Sequence, residues 1–193
     1  MLGIIRPMKY LTLLILASCV SMLKAPVQSP QDQINALLAK DPSGYPAQGW
    51  VSDYDAIILT TLKLYPVKNL PCDPLVTIAG IVKAESSFQK NDTYMEGAPL
   101  YYSSDGLLQL SIQDESWAHC GLQSKQDLYN PIRNLYCGIL IMNYNDAHYT
   151  GNFSQVQGHY WSSVRYDASW QGKEGADNHT AQDYWKANGC SGI

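Results

Sequence analysis

Apolar residues recur at helical spacing over residues 73–88, and this stretch also carries residues typical of a helix start. Asp73 can accept hydrogen bonds from the first free N–H groups of a helix, and Pro74 fits the first helical position. Four apolar residues then follow at positions i, i+3, i+4 and i+7: Leu75, Ile78, Ala79 and Val82. This spacing places them on one helix face. The pattern therefore predicts a helix with one face against a core.

Glu85 continues the same register, three residues after Val82. Its carboxylate is therefore expected on or beside the buried face, at the end of the helix. Burial disfavours the charged form of a carboxyl group and raises its pKa, which is the condition that a general acid needs near neutral pH. The alternative is a solvated glutamate in the last turn, where its charge would oppose the helix dipole.

The rest of the chain is predicted to be mainly helical. Apolar spacing and capping residues predict further helical segments over residues 33–40, 53–65, 130–146, 153–165 and 180–187. The intervening segment, residues 89–105, contains Gly97 and Pro99 and predicts an irregular stretch or small hairpin, with strand character at 98–102. No internal repeat or low-complexity tract is present. The fold class expected is a single, mainly α domain.

The N-terminus has the pattern of an export signal. Arg6 and Lys9 precede an apolar run over residues 11–17, which is too short to span a bilayer. The run ends in Leu16-Ala-Ser-Cys19, which looks like a bacterial lipobox, where Cys19 would be lipidated and become the mature N-terminus. The alternatives are simple secretory cleavage a few residues later, or a buried N-terminal helix of the domain.

These features divide the chain into a lipoprotein-type signal peptide (1–18), a lipid-anchored tether (19–30) and one domain (31–193). The residue after the cysteine is Val20 and not Asp, so the Asp-type signal for inner-membrane retention is absent. We therefore expect an exported protein anchored by lipid in the outer membrane and facing the periplasm. Its oligomeric state is expected to be monomeric.

Charge and composition limit the classes of binding partner that the sequence predicts. Without Arg6 and Lys9 the chain has 11 Lys and Arg against 17 Asp and Glu, a formal charge of −6 in place of −4. No basic stripe is present, which argues against nucleic acid as a partner. The chain contains fourteen Tyr and five Trp but only two Phe. Rings with one polar edge are used in sugar-binding grooves, although ordinary surfaces carry them too.

The cysteines predict two disulfides. Apart from Cys19 there are four, an even number in a chain predicted to be exported, and they allow three pairings. We favour Cys120–Cys137, which closes a short loop, together with Cys72–Cys190, which ties the tail to the start of the Glu85 helix. The four His are scattered and no CxxC or HxxxH spacing occurs, so the sequence predicts no metal site and no cofactor.

Four short motifs occur in a characteristic order. Glu85-Ser86 is followed by Gly-Leu-Leu-Gln at residues 106–109, by Asn130-Pro131 with a downstream Asn and Gly, and by Tyr160-Trp161. In this order and spacing they resemble the motifs of the lytic transglycosylase SLT domain, a branch of the lysozyme-like fold. The resemblance extends over about residues 72–165.

The resemblance implies a mechanism with one carboxylic acid. Glu85 would protonate the glycosidic oxygen between N-acetylmuramic acid and N-acetylglucosamine in peptidoglycan glycan strands, through an oxocarbenium-like state. The resemblance also implies that the substrate's N-acetyl group assists the reaction. Glu85 would then take the proton of the sugar's own 6-hydroxyl, which closes a 1,6-anhydro ring.

The resemblance also implies roles for other residues. Gln109 would hydrogen-bond the sugar, and Tyr160 would direct its hydroxyl towards Glu85. Ser103 is the candidate for a further hydroxyl that binds the glycan. Ser86 is a second candidate contact to the glycan, although it is expected mainly to hold the helix end. We interpret two asparagines as structural, one as a helix cap and one as a buried polar link: Asn130 and Asn134.

Departures from the family pattern leave two other functions open. Leu108 stands where the family usually has Met, and Trp161 where it has Asn. Asp105, just before the Gly-Leu-Leu-Gln motif, suggests a hydrolytic lysozyme with a second carboxylate, although an exposed loop Asp is the simpler interpretation. The third hypothesis is a non-catalytic glycan-binding envelope lipoprotein, in which Glu85 would be dispensable.

Overall fold

The computed structural model describes residues 28–97, 102–165 and 180–190. Within these ranges the chain forms eight α-helices and one two-stranded hairpin. The helices are α1 (Pro30–Leu38), α2 (Ser52–Leu64), α3 (Pro74–Ser86), α4 (Glu115–Ala118), α5 (Lys125–Leu128), α6 (Pro131–His148), α7 (Phe153–Gln157) and α8 (Thr180–Ala187). Short 3-10 helices cover Pro42–Gly44, Ile112–Asp114 and Ser162–Val164. The predicted signal peptide and Cys19 lie outside the described residues.

The two longest predicted helices begin at the expected caps. The Asp73 carboxylate accepts a hydrogen bond from the Leu75 N–H at 2.9 Å, and α3 starts at the next residue. The Asn130 side chain accepts from the Ile132 N–H at 3.0 Å in the same way, at the start of α6. Both caps are made within three residues along the chain, which is why the sequence alone could predict them.

The hairpin follows α3. Strand β1 (Thr93–Met95) pairs in antiparallel register with β2 (Ser103–Asp105), with Tyr94 opposite Ser104. The sequence predicted a small hairpin in this region but placed its strand at 98–102. Of those residues, 98–101 lie outside the described part of the chain, and Tyr102 precedes β2.

The predicted helix over 153–165 is wrong in its extent. Helix α7 ends at Gln157, and after the intervening Tyr160 and Trp161 a 3-10 helix begins at Ser162. The Arg165 guanidinium donates to the Gly158 carbonyl at 2.6 Å, so the chain turns back on itself here. The apolar residues that suggested one helix belong to two short elements, α7 and the 3-10 helix.

The core lies where α2 packs against α1, α3 and α6. Its large, fully buried apolar side chains include Ile34, Tyr54, Ile57, Ile58, Ile78, Ile81, Leu107, Leu108, Leu110, Leu128, Trp161 and Trp185, and α6 adds Ile132, Ile139 and Ile141. The molecule is mainly α, as predicted. None of the helices in the described ranges is long and apolar enough to cross a membrane.

The C-terminal helix is packed closely on α3. Its Trp185 indole N–H donates to the Thr77 carbonyl at 2.9 Å, and the ring lies directly over Gly80. Just beyond α8, Cys190 forms a disulfide with Cys72, at the start of α3. The second disulfide joins Cys120 to Cys137. These are the two pairs that the sequence favoured.

We predict that Gly80→Ala destabilises the protein. A Cβ atom at this position would lie 2.1 Å from the Trp185 Nε1 atom, so α8 must move. Although alanine favours helix, overpacking of this kind costs about 1–3 kcal/mol. The measurement is the free energy of unfolding in urea. Gly44→Ala is the matched control, because nothing lies within 4 Å of a Cβ there; equal stability of the two variants would contradict close packing of α8.

Candidate functional site

Glu85 lies in the last turn of α3 and is partly buried, as its register predicted. Its carboxylate accepts a hydrogen bond from the Ser163 hydroxyl, which the 3-10 helix Ser162–Val164 presents. That 3-10 helix packs against both α3 and α8. In addition, the Gln182 side chain of α8 donates to the Val164 carbonyl at 3.3 Å. The tail of the chain therefore holds the partner of Glu85 in place.

The surroundings of Glu85 favour its protonated form. Its pKa is raised from the ordinary 4.5 to about 7, and burial is the largest cause. The Ser163 hydrogen bond acts in the opposite direction, because it stabilises the carboxylate. The negative charge of Glu96 acts in the same direction as burial. A carboxyl group with a pKa near 7 can both donate and accept a proton at neutral pH.

Glu96 is the acidic residue of the hairpin whose charge acts on Glu85. It follows β1, and it is half-buried. The buried Ser104 hydroxyl donates to its carboxylate at 2.8 Å, and its own N–H donates to the Tyr102 carbonyl at 2.9 Å. These two contacts fix Glu96 across the hairpin from the strand that leads to the Gly-Leu-Leu-Gln motif.

Tyr160 is not the hydroxyl that contacts Glu85, contrary to the expectation from the family resemblance. Its O–H donates to the buried Asp114 carboxylate. Burial and the Asp114 charge raise the pKa of Tyr160, and burial also raises that of Asp114. Tyr160 does not contact Glu85 because its hydroxyl binds Asp114 instead. The Ser111 N–H, at 2.9 Å, fixes the Asp114 carboxylate within reach of Tyr160. Ser163 occupies the expected position beside Glu85.

Gln109 lies in a tight loop whose backbone is hydrogen-bonded to a side chain of α6. Asp105 and Leu110 exchange backbone hydrogen bonds of 2.8 and 3.0 Å and close the loop. Asn134 of α6 is fully buried, accepts from the Leu108 N–H at 2.8 Å, and donates to the Asp105 carbonyl at 3.0 Å. Gly106, with φ of +78°, has no room for a Cβ because Asn134 lies 2.4 Å from that position.

The Gln109 amide keeps one free acceptor. Its nitrogen donates to the Gly106 carbonyl at 2.9 Å, while its oxygen is buried and has no hydrogen-bond partner in the described part of the chain. A buried acceptor without a partner costs free energy that a ligand N–H or O–H can recover. Gln109 also has a positive φ of 50°, which the closed loop imposes.

Ser103, predicted to bind substrate, donates its hydroxyl to Asp105 at 2.6 Å. Asp105 is not an exposed loop residue, since only 1% of its surface is accessible. Its carboxylate also accepts from Thr93 at 2.8 Å and Tyr129 at 3.0 Å, and it pairs with Lys125 at 3.1 Å. The sequence missed this cluster because its partners are remote along the chain.

Ser86, the other predicted contact to substrate, is buried and donates to the Val82 carbonyl one turn back at 3.1 Å. Its structural role, holding the helix end, is the one that the geometry supports. Among the described contacts, none joins Ser103, Gln109 or Tyr160 directly to Glu85. Nor do the described residues contain a group of three His, Cys, Asp or Glu that could hold a metal ion.

Sequence reasoning assigned no role to three residues that act at this site: Ser163, Glu96 and Asp114. Ser163 was part of the quoted Tyr160 motif, so proximity to that motif was an available signal. The only sequence signal for Glu96 was its position in the long segment between two motifs. Asp114 sits three residues after Ser111, a spacing typical of a capping box, and the structure forms that box.

Comparison with known proteins identifies a family and a shared fold. The family model of the transglycosylase SLT domain matches residues 71–182. Two solved structures of glutamate-to-glutamine mutants of Bd0314 DslA are similar to this chain. One has a TM-score of 0.55 at 19% identity over 72% of this chain and 90% of that chain. The other has 0.50 at 22% identity over 61% and 82%. No curated protein sequence matches.

We predict that two substitutions move the pKa of Glu85 in opposite directions. Ser163→Ala removes the hydrogen bond that stabilises the carboxylate, so the pKa should rise above about 7. Glu96→Gln removes a repulsive negative charge, so the pKa should fall. A carboxyl ¹³C NMR titration of Glu85 measures both. Ser162→Ala, at an exposed neighbour, should leave the pKa unchanged; shifts of the same sign in both variants would contradict this account.

Proposed function

Since the chain belongs to the transglycosylase SLT domain family, we propose that it is a peptidoglycan lytic transglycosylase with Glu85 as its general acid and base. The observation that carries the proposal is the state of Glu85. It lies at the end of α3, its pKa is raised to about 7 with burial as the largest cause, and its direct partner is the neutral hydroxyl of Ser163. A carboxyl group held in this way is available as a proton donor near neutral pH.

In the proposed reaction, protonated Glu85 donates its proton to the glycosidic oxygen between N-acetylmuramic acid and N-acetylglucosamine. The C1–O bond breaks as that oxygen leaves with the proton, and the muramic acid ring becomes oxocarbenium-like. The Glu85 carboxylate then accepts the proton of the 6-hydroxyl, whose oxygen bonds to C1. Glu85 ends the cycle protonated, and no water is consumed. The free oxygen of the Gln109 amide is suited to accept a hydrogen bond from the glycan.

A hydrolytic lysozyme is the second candidate, and Glu96 is the observation that favours it. Asp105, the second carboxylate suggested by the sequence, already accepts three hydroxyl hydrogen bonds and pairs with Lys125, so it has little capacity left to activate water. Glu96 is half-buried, holds a single side-chain hydrogen bond, and influences Glu85 electrostatically. In a hydrolase, Glu96 would be the base for an attacking water.

The products of purified peptidoglycan distinguish these functions. We expect residues 20–193 to release anhydro-muropeptides, detected by mass spectrometry of the soluble fraction. Glu85→Gln should lower the rate by about 10²–10⁴-fold, because glutamine cannot transfer the proton. Products one water heavier, lost on Glu96→Gln, would establish the lysozyme instead. Release of neither product by folded, oxidised protein would overturn both and favour a glycan-binding protein.

Folding of Glu85→Gln is itself testable and serves as the control. Between pH 4.5 and about 7 the folded protein binds a proton at Glu85 that the unfolded chain has released, so wild-type stability falls as pH rises through this window. Glutamine carries no charge and escapes this loss. At pH 8 the variant should therefore be no less stable in urea than the wild type, which separates lost chemistry from lost structure.

We further propose that the mature protein is anchored in the outer membrane through a lipid on Cys19. The Leu16-Ala-Ser-Cys19 pattern and Val20 support this proposal, and two disulfides suit an exported chain. Metabolic labelling with an alkyne fatty acid should tag the full chain in the outer-membrane fraction. Cys19→Ala should abolish the label, and a soluble, unlabelled wild-type protein would instead indicate ordinary secretory cleavage.

A further inference from the structure

A row of aromatic rings continues outward from Tyr160. The Trp117 ring of α4 lies 6.3 Å from Tyr160 and 4.8 Å from Tyr144, between ring centroids. Tyr144 of α6 then stacks on His148 one turn later, at 3.8 Å and an interplanar angle of 22°. We refer to Trp117, Tyr144 and His148 as the aromatic ladder. Its inner end touches Tyr160.

The ladder is accessible and begins beside the candidate site. Trp117 and Tyr144 are half-buried and His148 is exposed. At the inner end the Tyr160 ring lies 4.6 Å from that of Trp161, and Ser163, the partner of Glu85, follows two residues later. The ladder therefore begins at the segment that supplies Ser163 to the site.

The indole N–H of Trp117 distinguishes this tryptophan from the others in the described part of the chain. Trp50 donates to Asp55 at 2.7 Å, Trp161 to the Leu108 carbonyl at 2.9 Å, and Trp185 to the Thr77 carbonyl at 2.9 Å. Trp117 donates to no group of the described residues, and its nitrogen is not among the buried atoms that lack a partner. Its polar edge is therefore open to a ligand.

Tyr144 resembles Trp117 in that its ring is packed against other rings while its polar group is unpaired within the described part of the chain. Its ring contacts Trp117 and His148, whereas its hydroxyl forms no hydrogen bond with the described residues. A half-buried aromatic ring combined with an unused donor matches a sugar ring, which has apolar C–H faces and hydroxyl edges.

Charge argues against an anionic lipid surface as the ligand. Asp114 and Glu115 lie on the chain just before Trp117, and Asp146 lies in the last turns of α6 before His148. No Lys or Arg belongs to the ladder. An anionic lipid surface would need the opposite sign of charge.

We propose that the aromatic ladder is a second carbohydrate-binding surface, which takes sugar rings of the glycan strand beyond those held at Glu85. The inference rests on the proposed function, because it assigns to the same substrate a longer contact with the protein. Stacking on Trp117 and Tyr144 would hold the strand at a distance from the cleaved bond. Glycans long enough to reach the ladder should then bind more tightly than short ones.

The test uses peptide-free peptidoglycan glycans of two and eight sugars, titrated into residues 20–193 (the tether without Cys19, and the domain) carrying Glu85→Gln so that no cleavage occurs. Calorimetry gives the affinities, and tryptophan fluorescence reports on the indole. Trp117→Phe, which keeps a ring but removes the N–H, and Tyr144→Ala should each weaken binding of the eight-sugar glycan by about three- to tenfold. Neither should change binding of the disaccharide.

Tyr149→Ala is the matched control. Tyr149 is also exposed and stacks on a histidine, His159, at 3.9 Å, but no ring contact joins it to the ladder within the described residues. The protein carrying both Tyr149→Ala and Glu85→Gln should bind both glycans as tightly as the protein carrying Glu85→Gln alone. An eight-sugar affinity unchanged in both ladder variants would overturn the ladder and leave the proposed function intact.

The remaining outcomes also separate the two claims. Equal weakening for short and long glycans would mean that the substitutions disturb the central site, and would overturn a separate surface. A ladder effect seen only with peptide-bearing glycans would assign the surface to the peptide instead. Failure of Glu85→Gln itself to bind any glycan, with its fold retained, would overturn the proposed function and the ladder together.

Discussion

The structure of the site depends on the buried side chain of Asn134. Its amide accepts from the Leu108 N–H and donates to the carbonyls of Asp105 and Leu128, so one residue of α6 fixes both the Gln109 loop and the end of α5. All of these groups are buried, and leaving any of them unpaired would cost about 1–3 kcal/mol. The loop cannot shift without breaking this set. Gly106 and Gly138 complete it, since a Cβ at Gly138 would occupy the position of Leu108.

The carboxylates near the site differ in kind from those that serve only structure. In the described part of the chain, the acidic partners of the salt bridges are Asp53, Asp105 and Asp127. Glu85, Glu96 and Asp114 have no cation in a salt bridge among the described residues. Hydroxyl groups of Ser163, Ser104 and Tyr160 donate to them, and the Ser111 N–H also donates to Asp114. A cation would keep a buried carboxylate ionised, whereas a neutral donor leaves burial as the dominant effect. This explains why the pKa values of Glu85 and Asp114 are raised.

Local features of the sequence predicted the fold well, and remote contacts limited the prediction of the site. The starts of α3 and α6 were predictable because Asp73 and Asn130 cap their own helices. Asp105 was misjudged because Thr93, Tyr129 and Lys125 approach it from other elements. The order of motifs identified Glu85 and its neighbourhood. It could not show which hydroxyl would reach Glu85, because Tyr160 and Ser163 are close in sequence and only packing separates their partners.

The tail after Arg165 carried no recognisable motif, yet α8 has a role in the geometry of Glu85. Trp185 fills the space over Gly80, and Cys190 is bonded to Cys72, so α3 is fixed near its start and along its middle. Gln182 holds the 3-10 helix that supplies Ser163. A general acid acts only where its position relative to the bond is defined. The tail helix thus constrains both partners of the Glu85–Ser163 hydrogen bond, and displacement of α8 should affect the site before it affects the rest of the core.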